Sequence, residues 1–126
     1  MMPDDAVRRL YGRFPRLSTH GLHPLNSDGV PDTVDDLVRY AQTHESTVWL
    51  CKFWLDQCPR VSGPRPGLDS YSYKHEVEEL AGRWIPHFAM LVAAELAGLE
   101  MIPNPRRDWA ALFPLGAARP GRLARL

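Results

Sequence analysis

The amino-acid sequence predicts an all-α fold: a single compact domain of four to five helices with an irregular N-terminal arm. Three observations support this prediction. Apolar residues recur with helical spacing in several segments. No alternation of apolar and polar residues persists beyond four positions, so no strand is predicted. The 126 residues are enough for one domain with one modest hydrophobic core.

Residues 1–31 form the predicted irregular arm. Four prolines and three glycines interrupt this segment, and both residue types break regular structure. We expect one or two helical turns over Asp5–Tyr11 and irregular backbone elsewhere in the arm.

The predicted helical domain covers residues 32–115 and begins with a helix that follows Pro31. Asp32 or Thr33 can cap it, because both side chains accept hydrogen bonds from the first backbone N–H groups. A second helix is expected from a cap at Ser46 to Cys58, and it is apolar on nearly every side. The apolar face of the first helix consists of four residues with helical spacing: Val34, Leu37, Val38 and Ala41.

A helical hairpin follows the loop 59–69, which contains three prolines and two glycines. Its first helix begins at Ser70 or Ser72, either of which can act as the cap. Pro86 suits the start of the second helix and Gly98 suits the left-handed residue after its end. The second helix is the most apolar segment of the chain, so we expect it to lie at the centre of the core.

The C-terminal part of the sequence is more basic than the rest. Fifteen basic and fifteen acidic residues cancel over the whole chain, but from Asn104 onward there are five arginines and one aspartate. Asp108 is expected to cap a short helical turn that carries Trp109 and Phe113. Residues 116–126 then form a basic tail, which suits contact with nucleic acid or an acidic protein surface.

Composition excludes several classes of protein. The longest apolar run, 88–99, contains Glu95 and is shorter than the ~18–20 residues that span a bilayer. We therefore expect no membrane partner, and a cytoplasmic location because the acidic N-terminus does not resemble a secretory signal. Cys51 and Cys58 lie seven positions apart on one predicted helix, about 10 Å by helical rise, which is too far for a disulfide.

Evidence for catalysis is thin. His75 and Glu79 occupy the two ligand positions of the zinc motif HExxH, but that motif needs a second histidine in place of Glu79. Glu95 lies in an apolar helix, so we expect it either to face solvent or to pair with a group such as Arg83, Lys74 or His75. A metal-dependent or acid–base enzyme centred on His75 and Glu79, with Glu95 as a further candidate, is one alternative. The non-enzymatic interpretation, which is preferred, includes no catalytic residue, no metal ligand and no cofactor.

A nucleic-acid-binding regulator that uses arginines is a second alternative. The hairpin has the outline of a helix-turn-helix, in which the second helix reads bases. That helix, 87–97, contains no Arg, Lys, Asn or Gln, so base readout is disfavoured. Contact with phosphates through the loop arginines and the basic tail stays open, and it would weaken with salt.

The hairpin carries a recognisable pattern of residues. It consists of Ser70-Tyr71-x-x-Lys74-His75-x-x-Glu78, then Gly82-x-Trp84-Ile85, then the alanine-rich run Met90–Gly98. This pattern, which covers roughly a third of the chain, resembles that of a group of small uncharacterised bacterial proteins of phage, plasmid and related mobile elements. The chain differs at its corner, where Pro86-His87-Phe88 replaces the Ser-Asn-Gly of that group.

The resemblance implies a small protein that occupies a host surface, regulates an element's genes or modulates host defence. The leading hypothesis is therefore a non-enzymatic binding protein that occupies a host macromolecule, with a host protein preferred over nucleic acid. The oligomeric state is left open. The candidate partner-binding residues are the charged side chains of the hairpin and of the preceding loop: Arg60, Arg65, Lys74, His75, Glu78 and Glu79.

Overall fold

The computed structural model describes residues 1–24, 32–65 and 68–116. Within them the chain forms five helices and one two-stranded antiparallel sheet. The all-α prediction is therefore wrong, although the fold is mostly helical. The elements are α1 (Pro3–Arg13), α2 (Val34–Thr43), α3 (Glu45–Asp56), α4 (Ser70–Ala81), α5 (His87–Leu96), β1 (Ile102–Asn104) and β2 (Arg107–Leu112).

The sheet replaces the short helix that was expected after Asp108. β1 and β2 pair with Ile102 opposite Leu112, and the register shifts at the turn. The last three residues of β2 are all buried. A strand buried on both faces lacks the alternating pattern that identifies strands in a sequence, which explains the error. Phe113, expected on the same helical turn as Trp109, instead stacks on Tyr73 in the core.

The N-terminal segment is not irregular throughout, since α1 extends over three turns. Pro3 lies in the first turn, where its missing N–H costs nothing. Asp4 and Asp5 also lie in the first turn, where their negative charges stabilise the positive end of the helix dipole. The buried side of the helix includes Ala6 and Leu10 and packs against α2 and α5. This part of the predicted arm therefore contributes to the core.

Local capping signals define several helix ends. Thr33 caps α2 as expected, with its side chain accepting from the N–H of Asp36. α4 is capped by Asp69 rather than by a serine, and α3 begins after His44 without a side-chain cap rather than at Ser46. Gly98 adopts positive φ just beyond α5, as expected.

Helix α5 is the centre of the core, as its composition indicates. Nine of its ten residues are buried, and the helix contacts all four other helices. Glu95 is buried on it and pairs with Arg13 of α1 rather than with any of the expected partners. This ion pair connects the N-terminal helix to the core.

Both cysteines are buried and carry thiols rather than a disulfide. Burial raises the pKa of the Cys51 thiol to about 12. Across the described residues, no helix is long and apolar enough to cross a bilayer. The predicted basic tail lies outside the described residues from position 117 onward.

Candidate ligand-binding cavity

A cavity of about 530 Å³ opens beside the N-terminal half of α4 and the start of α5. Aromatic rings and two cations dominate its lining, and no carboxylate occurs among the described residues that form it. The lining residues are Thr19, His20, Tyr40, Tyr71, Lys74, Trp84, Pro86, His87, Arg107 and Trp109.

Helix α4 and the corner after it supply one side of the cavity. Tyr71 and Lys74 are three residues apart on α4, so their side chains lie on the same face of the helix. Gly82 adopts the left-handed conformation that ends α4. The turn places Trp84 at the rim and His87 at the first residue of α5.

Strand β2 and the loop 18–22 supply the opposite side. Arg107 and Trp109 are two residues apart on β2 and point to the same face of the sheet. The loop is held against β2 by a hydrogen bond of 2.8 Å from the N–H of Leu22 to the carbonyl of Trp109. Gly21 permits this approach, because a Cβ at this position would overlap with the same carbonyl.

Three rings form a mutually perpendicular cluster in the cavity wall. The ring centroids of Tyr71 and Trp109 lie 5.0 Å apart, and the imidazole of His87 lies 5.6 Å from each of them. Edge-to-face pairs of this kind stabilise a fold by about 0.5–1.5 kcal/mol each beyond area burial. The cluster therefore gives the cavity a fixed shape.

Lys74 is the first of the two cations, and only 7% of its side chain is exposed. Its ammonium pairs with Glu78 one turn later and lies 5.3 Å from the ring centroid of Tyr71 and 5.9 Å from that of Trp84. Burial alone would raise the pKa of Glu78, but hydrogen bonds from Lys74 and from the N–H of Ile85 outweigh burial and lower it. Glu78 therefore stays ionised and holds the ammonium in place.

Arg107 is the second cation, and a network around buried Asp69 fixes it. Its Nε and Nη2 bond both carboxylate oxygens of Asp69, and Nη2 also donates to the hydroxyl of Ser72 at 2.7 Å. Asn104 donates to the same carboxylate at 2.8 Å. Burial alone would raise the pKa of Asp69, but these hydrogen bonds lower it. The pKa of Arg107 is raised in turn by its bond with Asp69.

His87 is held in one tautomer by a chain of hydrogen bonds. Its Nδ1 donates to the carbonyl of His20 at 2.7 Å, so Nε2 accepts from the hydroxyl of Ser70 at 2.7 Å. The Ser70 oxygen accepts in turn from the N–H of Ala111 at 2.9 Å. Burial lowers the pKa of His87 to about 4, so the imidazole is neutral at physiological pH. Ser70 is completely buried and is not accessible to a ligand.

The structure brings together three of the six residues predicted from the sequence to bind a partner. Glu78 contacts both Lys74 and His75 on α4, with 3.2 Å between its carboxylate and the imidazole of His75. Lys74 is buried in the cavity wall rather than exposed on a polar face. Glu79 is exposed on α4 and does not line the cavity.

The two loop arginines lie outside the cavity. Arg60 donates to the carbonyl of Ala97 at 2.8 Å and pairs with Asp56 at 3.7 Å, so it links α3 to the end of α5. Arg65 is exposed. Of the residues that line the cavity, only Lys74 is among the six predicted from the sequence to bind a partner. For Arg107 and Trp109, the two-residue spacing on one strand is the clearest local signal that their side chains share a face.

Within the part of the chain that the structure describes, no group of three or more His, Cys, Asp or Glu side chains is arranged to hold a metal ion. Comparisons of the chain with protein-family models, with curated proteins and with solved structures found no match in any of the three. The resemblance to proteins of phage or plasmid type stays a prediction.

Proposed function

We propose that this protein is a binding protein that holds an anionic ligand with a planar ring in the aromatic cavity. One observation carries the proposal: two cations and several aromatic rings line a single cavity, with no carboxylate among its described lining residues. The volume of about 530 Å³ falls in the range of ~300–1,000 Å³ that is usual for sites of small ligands.

The electrostatics of the cavity favour an anion. Asp69 and Glu78 neutralise the two cations, but neither carboxylate lines the cavity. Lys74 uses one of its three N–H donors for Glu78. Arg107 uses Nε and Nη2 for its bonds to Asp69 and Ser72, and Nη1 makes no hydrogen bond within the described residues. Both cations therefore keep donors for a ligand.

The hydrogen bonds around His87 favour binding over catalysis. A serine that donates to a histidine resembles the pair that activates a nucleophile. Here both imidazole nitrogens are bonded to protein groups, and Ser70 is completely buried. The pair therefore orients the ring of His87 in the cavity wall.

The broader role predicted from the sequence, occupation of a host macromolecule by a small protein of mobile-element type, is kept as part of this proposal. In that role, the cavity recognises an anionic group of the host partner. A cytoplasmic location is proposed with it, since Cys51 and Cys58 carry buried thiols and reduced cysteines are typical of that compartment.

Three probes that share one ring system test the charge preference. Isothermal titration calorimetry is performed with naphthalene-1-sulfonate, with its neutral sulfonamide and with cationic 1-naphthylmethylamine. We expect the sulfonate to bind most tightly and the amine most weakly, because the two cations attract the anion, interact more weakly with the neutral sulfonamide and repel the amine. Equal affinity for the three probes, or no binding of the sulfonate, would contradict the proposal.

Matched variants locate the binding. Trp84→Ala removes an exposed ring at the rim, and we expect affinity for the sulfonate to fall by about 1–3 kcal/mol, the usual contribution of stacking on an aromatic side chain. Trp49→Ala is the control, because Trp49 is also partly exposed but lies outside the cavity. Lys74→Gln should also weaken binding of the sulfonate. Lys52→Gln is its control and should leave binding unchanged: Lys52 likewise pairs with a carboxylate four residues later, Asp56, but does not line the cavity.

A further inference from the structure

We infer that the ligand of this cavity is a nucleoside monophosphate unit, either a free nucleotide or the phosphorylated end of a single strand. The inference rests on the proposed function and adds the chemical class of the ligand. It depends on three features of the cavity: the geometry of the remaining donors, the exposed tryptophan and the polar groups at the rim.

The remaining donors suit a phosphate better than a carboxylate. Arginine usually binds a carboxylate through two parallel hydrogen bonds from one edge of the guanidinium. In Arg107 this edge, formed by Nε and Nη2, is already bonded to Asp69. The Nη1 group of Arg107 and the ammonium of Lys74 are left as two separate donors. Both cations line the cavity and lie against the ring of Tyr71, at 5.2 and 5.3 Å from its centroid, so a ligand in the cavity can meet both. A tetrahedral phosphate with several terminal oxygens accepts from donors that approach from different directions.

Trp84 provides a stacking surface for a base. It is 63% exposed. Its ring forms a T-shaped pair with His44, 6.2 Å between centroids, and the ammonium of Lys74 lies over it at 5.9 Å from the centroid. Most of its surface is therefore open to a ligand. Stacking on tryptophan suits any base, because every base has a π face.

The rim carries groups that suit the polar edge of a heterocycle. Thr19 and His20 line the cavity, and their side chains make no hydrogen bond within the described residues. The loop that carries them is fixed, because the N–H of Thr19 donates to Asp32 at 3.0 Å and the carbonyl of His20 accepts from His87. A hydroxyl and an imidazole can pair with ring nitrogens and exocyclic groups, which a phenyl ring such as that of phosphotyrosine lacks.

The test compares complete nucleotides with their parts. The naphthalene-1-sulfonate complex is titrated with AMP, GMP, CMP and UMP, then with adenosine and with ribose 5-phosphate. We expect at least one of the nucleotides to displace the sulfonate. Loss of the phosphate or of the base should each weaken binding about ten-fold or more, as expected when stacking or a charge-assisted contact is removed.

A second comparison distinguishes the two sources of the ligand. A 12-nucleotide single strand is measured with and without a 5′-phosphate. Tighter binding of the phosphorylated strand than of any nucleotide identifies a strand end. Equal or weaker binding identifies a free nucleotide. Lys74→Gln and Trp84→Ala should reduce either affinity, while Lys52→Gln and Trp49→Ala should leave it unchanged.

The failure of this inference can be distinguished from the failure of the proposed function. If the sulfonate binds but neither a nucleotide nor a phosphorylated strand displaces it, the inference is wrong and the proposed function stands. Tighter binding of O-phosphotyrosine than of every nucleotide also overturns the inference. If the sulfonate itself does not bind, both are wrong.

Discussion

The pH dependence of stability tests the environment of His87. Burial lowers the pKa of this imidazole from 6.5 to about 4 in the folded protein. Between these two values the unfolded chain binds a proton that the folded protein does not bind. Each proton that only the unfolded chain binds favours unfolding. The stability associated with the neutral, buried imidazole is therefore fully present above pH 6.5 and is lost as the pH falls toward 4. Linkage gives a loss of about 2 kcal/mol between pH 7.5 and pH 5.

Urea unfolding at a series of pH values measures this loss. Above pH 5 the effect of His87 on stability can be measured apart from the effects of Asp69 and Glu78, because the pKa values of these carboxyl groups are lowered in the folded state. Stability from those carboxylates is present above their ordinary pKa values of about 4 and is lost below them. The perturbation is His87→Gln, which removes the titrating group. The variant should be less stable at neutral pH, but the free energy of unfolding should stay nearly constant down to pH 5.

His20→Gln is the control. The side chain of His20 is exposed, and the substitution retains the backbone carbonyl that accepts from His87. This variant should keep the pH dependence of the wild-type protein. A wild-type free energy of unfolding that is flat between pH 7.5 and pH 5, or one that falls equally in His87→Gln, would refute the assignment of a buried neutral imidazole.

Further predictions concern the loop, the network and the core. Gly21→Ala should lower the free energy of unfolding by about 1–3 kcal/mol, because its Cβ overlaps with the carbonyl of Trp109. Gly12→Ala on α1, where the added Cβ meets nothing within 4 Å, should raise it by about 0.5–1 kcal/mol in the same urea experiment. Asp69→Asn should cost about 1.5–3 kcal/mol, since it removes charge-assisted hydrogen bonds to Arg107, which is partly exposed. Cys51 should react with a disulfide reagent only after denaturation, because its thiol is buried and its pKa is raised to about 12.

The helices from α2 to α5 could be predicted from the sequence because their signals are local. Apolar spacing identifies α2, and composition identifies α5 as the central helix. Gly98 marks the end of the hairpin through its backbone freedom, as its positive φ confirms. The first residue of a helix is harder to predict from the sequence where several neighbouring residues can act as the cap. Asp69 caps α4 in preference to the nearby serines, which instead form hydrogen bonds with His87 and Arg107.

The sheet and the full length of α1 could not be predicted, because tertiary contacts decide them; the sequence predicts only one or two turns of α1, over Asp5–Tyr11. β2 is stabilised by pairing with β1 and by bonds to residues distant in sequence, such as Leu22 and Asp69. Its buried end hides the alternation that identifies a strand. α1 contains a proline and few apolar residues, but its apolar side packs on the core. Such packing adds stability that no local pattern shows.

The binding cavity was only partly visible in the sequence for the same reason. Lys74 and Tyr71 are neighbours on one helix, so their spacing places them together. Arg107 lies more than thirty positions away and reaches the same ring only through the hairpin of β1 and β2. The positions of Lys74 and Arg107 beside one ring are therefore a property of the fold.

The distribution of charge shows most clearly why the binding cavity could not be predicted from the sequence alone. Basic and acidic residues cancel over the chain, and Lys74 with Glu78 looks like an ordinary helical ion pair. In the folded protein the two cations line the cavity while their carboxylate partners do not. A ligand therefore meets donors and aromatic faces even though the network as a whole is close to neutral. Recognition depends on which member of each pair faces the ligand, and only the fold determines that.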